Sequence, residues 1–375
     1  MNSPQLTGPL IGYTVGVTAA RRREELTALL RRRGAKVVEA PALRIMPLAD
    51  DEALRRATER CLTAPLDFVV ATTGVGWRGW LSAADGWGHG ARLAEVCRDA
   101  TVLTRGPKAT GAVRAGGLSE AFSPATEATG ELLTWLLGRE LRGTRVALQE
   151  HGGPLDGFAA ALRERGAEVI EVPVYRWGPP ADPQPLRRLV EQTARRELHA
   201  VTFTSGPAIT AFLATAEESA LTGAVLEALR AEVLPVCVGP LCARPLEDAG
   251  ITAHCPERGR LGAMVRTLEA VLPEHNRREV HAGAHLLTLQ GNAVLIDGSA
   301  AAQLPPLLAA VLRVLAERPG LVLSRGELLR RAWIGAQADE HAVEAAIARL
   351  RVALGEHAGL VRTVPKRGYS LRAPA

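Results

Sequence analysis

GAKVVEAPALRIMP at residues 34–47 and GAEVIEVPVYRWGP at residues 166–179 are two versions of one phrase. Gly34, Pro41 and Arg44 return as Gly166, Pro173 and Arg176, each 132 positions later. Working outward, the register persists: ATTG at 71–74 returns as FTSG at 203–206, again 132 apart. Gly106-Pro107 returns as Gly239-Pro240, one residue out of step. Residues 1–275 therefore read as two copies of one pattern, and the last hundred residues belong to neither copy. Paired lobes create a cleft, and clefts between lobes are common ligand sites.

Each copy opens with a short β run, YTVGVT (13–18) or TRVALQ (144–149), followed by a helical stretch that stops at Gly34 or Gly166. Glycine just past a last turn accepts positive φ without a Cβ penalty. A second strand follows, VVEAP or VIEVP, closed by Pro41 or Pro173. Polar helices over 50–62 and 184–197 then lead to the apolar strands DFVVAT (67–72) and AVTFTS (200–205). Strands alternating with helices predict parallel sheets covered on both faces, an α/β class.

In such sheets ligands bind beyond the carboxyl ends of the strands. The residues there are small and polar: Thr18 after the first strand, Thr72, Thr73 and Gly74 in one copy, Ser205 and Gly206 in the other, then Gly106 and Gly239. Each precedes a predicted helix, whose N-terminus offers unpaired N–H groups and partial positive charge to a carboxylate or phosphate. At any single position the hydroxyl reads equally as a plain N-cap. Recurrence across both copies points to a polyanionic small molecule.

Composition bounds the partners. A chain of 375 residues predicts two or three domains. No apolar stretch reaches the roughly 18–20 residues of a membrane helix, and MNSPQLTGPL lacks the pattern of a signal peptide. The five cysteines are odd in number and form no CxxC pair, which predicts free thiols in a reducing cytoplasm. The nine histidines suggest no metal site. Residues 277–375 hold 13 Lys/Arg against 8 Asp/Glu, whereas residues 1–276 hold 32 of each. All the positive excess sits in the C-terminal segment, which points to a polyanion partner for that segment alone.

The order of these pieces resembles the uroporphyrinogen-III synthase family over almost all of 1–275. The GAxVxEVPVYRW segment, the FTSG turn and the Gly-Pro helix from Gly239 to Gly250 carry the resemblance. It implies two Rossmann-like lobes joined by a two-stranded linker. Lobe 1 would take residues 1–40 and 176–275, and lobe 2 residues 44–173. It also implies a substrate, hydroxymethylbilane, whose linear chain is closed with inversion of its last ring, and no metal or organic cofactor. Tyr175 matches the family tyrosine that helps the hydroxyl depart; a phenol keeps its proton at neutral pH and can donate to a leaving oxygen. A linker tyrosine packed by its ring is the plain alternative. Ser205 matches the family's serine. The chain departs from the pattern where Thr-Ala is usual: Gly239-Pro240 precedes Leu241-Cys242-Ala243, and Gly106-Pro107-Lys108 precedes Ala109-Thr110.

Residues 286–375 resemble the winged helix-turn-helix output domain of response regulators, with 276–285 as a polar, flexible linker. HLLTLQGNAVLIDG reads as a hairpin about Gly291-Asn292. Ser324 with Glu327 reads as a capping box, and DEHAVEAAIARLRVAL as the recognition helix, buried along Val343, Ile347, Leu350 and Leu354. LVRTVPKRGYSL reads as the wing. The resemblance implies a double-stranded DNA partner contacted by Arg349, Arg351, Arg362, Thr363, Lys366 and Arg367. Two functions follow: a cytoplasmic synthase carrying a DNA-binding domain, or a non-catalytic regulator sensing a tetrapyrrole or another polycarboxylate.

Overall fold

The computed structural model describes residues 8–47, 52–153, 155–334 and 338–375, and the chain divides into two compact units, residues 44–178 and the remainder. It starts in lobe 1 with β1 (Thr14–Val17) and β2 (Lys36–Glu39), then leaves through β3 (Arg44–Pro47). Lobe 2 follows without interruption as β4 (Phe68–Ala71), β5 (Thr101–Thr104), β6 (Glu120–Phe122), β7 (Arg145–Gln149) and β8 (Glu168–Val172). The chain passes out through β9 (Tyr175–Gly178) and completes lobe 1 with β10 (Ala200–Phe203) and β11 (Leu234–Cys237).

Both sheets are parallel, ordered β11-β10-β1-β2 in lobe 1 and β6-β5-β4-β7-β8 in lobe 2. By the 132-residue repeat, β7 and β8 match β1 and β2, while β10 and β11 match β4 and β5. Each lobe thus takes two strands from each copy, in the same order, and lobe 2 adds β6 at one edge. β1, β10 and β11 are buried along their whole length, as strands covered by helices on both faces must be. The covering helices show the matching stripe: Gln184–Ala194 buries Leu186, Leu189, Val190, Thr193 and Ala194. The linker strands lie a few residues beyond the VVEAP and VIEVP segments. Those segments supply β2 and β8, and the antiparallel linker ladder pairs Arg44 with Gly178 and Pro47 with Tyr175.

The C-terminal domain holds a four-stranded antiparallel sheet of β12 (Arg277–Ala282), β13 (His285–Gln290), β14 (Ala293–Ile296) and β15 (Ser299–Gln303). Helices Pro306–Ala316, Arg325–Ala332 and Glu340–Leu354 follow, then the wing, β16 (Val361–Val364) with β17 (Gly368–Leu371). The expected flexible linker over 276–285 is corrected here. Helix Leu261–Asn276 runs straight into β12, which pairs with β13 from Arg277 opposite Gln290 to Ala282 opposite His285. The polar composition that suggested a linker is that of an edge strand whose outer face meets water.

Lobe 1 and this domain meet at a backbone seam. Gly12 (φ +82°) and Gly291 (φ +56°) face each other so closely that a Cβ on Gly12 would lie 2.1 Å from the Gln290 carbonyl oxygen, and one on Gly291 2.4 Å from that of Gly12. Asn292 N–H donates to the Gly12 carbonyl (2.7 Å), and Gln290 Nε2 to that of Ile11 (3.1 Å). Arg313, from the first helix of the domain, donates to the Gly291 carbonyl and brings Nη2 to 3.2 Å from His199 Nε2. The Thr14 amide donates to His199 Nδ1 (2.9 Å), so the neutral ring carries its proton on Nε2. The Arg313 approach then sets two donors face to face, and the guanidinium is held by Gly291.

Candidate active site and DNA interface

In lobe 2 the turns after β5, β4 and β7 are neighbours because those strands are neighbours. Thr73 caps helix Gly74–Gly86 by accepting from Gly76 N–H (3.2 Å), and Gln149 Nε2 donates to it as well (3.0 Å). Thr72, buried, donates to the Gln149 carbonyl (3.0 Å). The pair is thus internally bonded, although Thr73 accepts twice and keeps its own O–H to give. Gly74 packs against helix Pro107–Ala115, where an added Cβ would meet the Lys108 carbonyl oxygen at 2.2 Å. Gly106 opens helix Pro107–Ala115 with the Glu127 side chain folded over it, 2.8 Å from where a Cβ would sit. That turn is covered by an acid.

Two residues there had not been singled out in the sequence. Arg105, between β5 and Gly106, is half-buried; burial lowers its pKa, while Tyr175 and Glu127 nearby oppose the shift. His151, just past β7, is pushed down to about 4 by burial and by the Arg105 charge, so it is neutral at pH 7. Its Nδ1 has no hydrogen-bond partner among the described residues. The available signal was asymmetry: Gly106 follows an arginine where its counterpart Gly239 follows Val238.

Tyr175 lies on β9 with its ring buried in the lobe 2 core, edge-on to Trp177 at 5.8 Å. Trp77 and Trp80 are fully buried packing residues, and Trp80 Nε1 donates to Thr58 Oγ1 (2.9 Å). A cavity of about 370 Å³ beside β9 is lined by Glu150, Gly152, Glu171, Arg176 and Trp177. Glu150 and Glu171 outnumber Arg176 in this lining, which makes the cavity acidic rather than carboxylate-binding in character; burial, then Glu171, raises the Glu150 pKa against the pull of Arg176.

In lobe 1, Thr18 is fully buried and donates to the Thr202 carbonyl (2.8 Å), which ties β1 to β10 and removes its hydroxyl from the surface. Ser205 differs. It is the N-cap of helix Gly206–Glu218, is half-exposed, and makes no side-chain capping bond. Gly239 caps helix Pro240–Asp248 in extended backbone, and no acidic residue stands in the first turn of either helix. Cys242 sits where the family pattern has its threonine and points its thiol at the Phe203 carbonyl (3.5 Å).

In the C-terminal domain Ser324 and Glu327 form the expected capping box, and Asp339 caps the recognition helix through Ala342 N–H (3.1 Å). Val343, Ile347, Leu350 and Leu354 are buried, while Arg349 is exposed. Arg351 is held by the wing: it donates to the Val361 carbonyl (3.0 and 2.8 Å) and to Thr363 Oγ1 (2.8 Å). Its fork positions the wing instead of lying free for phosphate. Arg362, Thr363, Lys366 and Arg367 are exposed on the wing.

Two like lobes of parallel strands and helices, followed by a capped winged helix, define a two-lobed α/β protein carrying a winged-helix domain. Comparison with known proteins makes this particular. The family described as uroporphyrinogen-III synthase HemD matches residues 24–266, and the C-terminal domain of transcriptional regulatory proteins matches 299–371. The chain belongs to the uroporphyrinogen-III synthase family, with a regulator-type winged helix appended. A uroporphyrinogen III synthase structure from Thermus thermophilus, a mutant form, is 28% identical with a TM-score of 0.58, over 70% of this chain and 99% of that one. Bacillus subtilis (strain 168) protein YjjA is 26% identical over 260 residues, 68% of this chain and 94% of its own length. The Pseudomonas aeruginosa response regulator protein PmrA is 35% identical over 114 residues, 29% of this chain and 47% of its own.

Proposed function

We propose that residues 1–275 cyclise hydroxymethylbilane to uroporphyrinogen III and that the C-terminal domain binds double-stranded DNA. The observation that carries the enzymatic reading is the set of helix N-termini at the strand ends. Helices starting at Gly74, Pro107, Gly206 and Pro240 have no acidic residue in their first turns. In lobe 1 neither helix start has a side-chain cap, so the N–H groups at Gly206 and Pro240 suit acetate and propionate arms, whereas in lobe 2 Thr73 takes a first-turn N–H of one helix and Glu127 lies over the start of the other. Ser205 adds an uncommitted hydroxyl, and Arg105 adds a cation where Glu127 can yield. Gly206 and Gly239, where an added Cβ would meet no described atom closer than 3.8 Å, let a carboxylate approach the backbone. Tyr175 donates its proton as the hydroxymethyl C–O bond breaks and water leaves; the proton released from the pyrrole carbon when the macrocycle closes returns to the phenolate, and the bound chain is held so that the last ring closes inverted. No cofactor enters this reading.

A coupled assay tests it: hydroxymethylbilane is supplied and the uroporphyrinogen isomers are separated. The type III isomer is expected; only the type I isomer, which forms without enzyme, would refute it. DNA binding is tested by mobility shift at two salt concentrations with Arg349→Ala and Lys366→Ala. Both variants are expected to bind more weakly, and unchanged binding in both would refute the assignment. One feature favours a second reading, in which a polycarboxylate is sensed without turnover. Cys242 replaces the usual threonine in lobe 1, the same lobe that meets the DNA-binding domain at the Gly12–Gly291 seam. Such a sensor requires that ligand change DNA affinity.

A further inference from the structure

The recognition helix Glu340–Leu354 exposes Glu340, His341 and Glu344 at its N-terminal end and, beyond them, an outward strip that is apolar apart from Arg349. Ala345, Ala348, Arg349 and Val352 are exposed at spacings of three, four and seven residues, so they share one side of the helix. Val352 is 82% exposed, the most exposed of the large hydrophobic residues among those described. Its methyl groups stand in water with nothing of this chain against them. Arg349 is the one long hydrogen-bonding side chain in this row.

The surroundings say what covers the face. The wing beside it carries Arg362, Lys366 and Arg367, exposed. Arg351 pins that wing to the helix, so the cationic edge and the apolar face keep a fixed relation. The nearby carboxylate of Glu344 is neutralised by Arg325 at 2.8 Å. An apolar strip framed by cations suits a surface that is polyanionic at its edges and carries methyl groups on its floor. The major groove of DNA has that character wherever thymine is present, since the thymine 5-methyl is its apolar feature.

We propose that this face reads DNA through thymine methyl groups, with Ala345, Ala348 and Val352 packing on successive 5-methyls and Arg349 forking onto one guanine between them. The preferred site is then A·T-rich around a single G·C pair. This deepens the DNA-binding reading above and rests on it. It also explains how the stretch from Ala345 to Leu354, where Arg349 is the one exposed hydrogen-bonding side chain, selects sequence: methyl burial discriminates where side-chain donors are absent.

The test uses the full chain and a random duplex library of about 30 base pairs, a length that spans a response-regulator-type site with its flanks, at physiological salt. The selected duplex is remade with each thymine replaced in turn by deoxyuridine, which removes only the methyl. Two or three positions are expected to weaken binding by about fourfold each, the value of one buried methyl. Val352→Ala, at an exposed site that cannot disturb the core, should abolish the effect at one of those positions, while Lys366→Ala weakens all duplexes alike. If no deoxyuridine position matters while the duplex is still bound in a salt-sensitive way, methyl readout is overturned and DNA binding stands. If no duplex is retained, both readings fall.

Discussion

Acidification should loosen lobe 1 through His199. The ring is buried, Thr14 N–H occupies its Nδ1, and Arg313 stands 3.2 Å from its Nε2. Burial first, then the Arg313 charge, pushes its pKa down to about 3 against the Thr14 hydrogen bond. A base with a depressed folded pKa contributes stability that is fully present above the unfolded value. That stability is lost as pH falls from about 6.5 toward the folded pKa. Between pH 7 and pH 5 the unfolded ring takes up most of a proton and the folded ring almost none, which costs about 2 kcal/mol. The proton would have to enter at Nδ1, where it displaces the Thr14 amide and adds positive charge beside Arg313. Hydrogen exchange over residues 12–18 and 199–204, corrected for intrinsic rates, reads the opening free energy at both pH values. His199→Asn keeps an acceptor near the Nδ1 position and cannot titrate, so it should lose about 2 kcal/mol less than the native chain over this range. Parallel losses in the two proteins would refute the reasoning.

Four further outcomes are expected. Tyr175→Phe should lower kcat by about a hundredfold or more with KM little changed; an unchanged kcat in the coupled assay removes its acid role. Gly76→Ala places a Cβ 2.4 Å from Val174 Cγ2 and 2.5 Å from Gln149 Nε2, so urea melts of lobe 2 should show a loss of about 1–3 kcal/mol. Arg351→Ala should weaken DNA binding by freeing the wing while leaving the salt slope near its native value, whereas Lys366→Ala should reduce that slope by about one; equal slopes in both variants would contradict the wing-positioning role. Ser324→Ala removes the hydroxyl that accepts from Glu327 N–H, while the backbone amide at 324 keeps its bond to the Glu327 carboxylate, and should cost about 1 kcal/mol, read by denaturation of the full chain.

The elements that depend on local pattern were legible in the sequence. Gly34 and Gly166 ended helices, Ser324 and Glu327 made their capping box, and Gly291-Asn292 turned the hairpin, because each signal acts within a few residues. What depends on distant partners was not. Arg277–Ala282 looks like a linker in isolation and becomes a strand only because β13 offers it an edge. Thr18 and Ser205 read alike as hydroxyls at strand ends, yet one is fully buried on the Thr202 carbonyl and the other is open. Arg351 looked like a phosphate contact and is held by Val361, ten residues on. The Arg105–His151 pair joins turns some 46 positions apart, and only the strand order β5-β4-β7 makes them neighbours.

The interleaving of the two copies bears on how the chain is made. Lobe 2 is one continuous stretch, Arg44–Gly178, so all five strands of its sheet have left the ribosome before β10 begins to emerge. Lobe 1 cannot close its sheet until β10 and β11 have been synthesised, so β1 must wait with one edge unpaired through the translation of some 160 residues. Early in synthesis the vulnerable species is therefore a finished second lobe preceded by an apolar strand–helix–strand unit with nothing against its open side. Chaperone dependence should fall on the valine-rich segment around Val15–Val17.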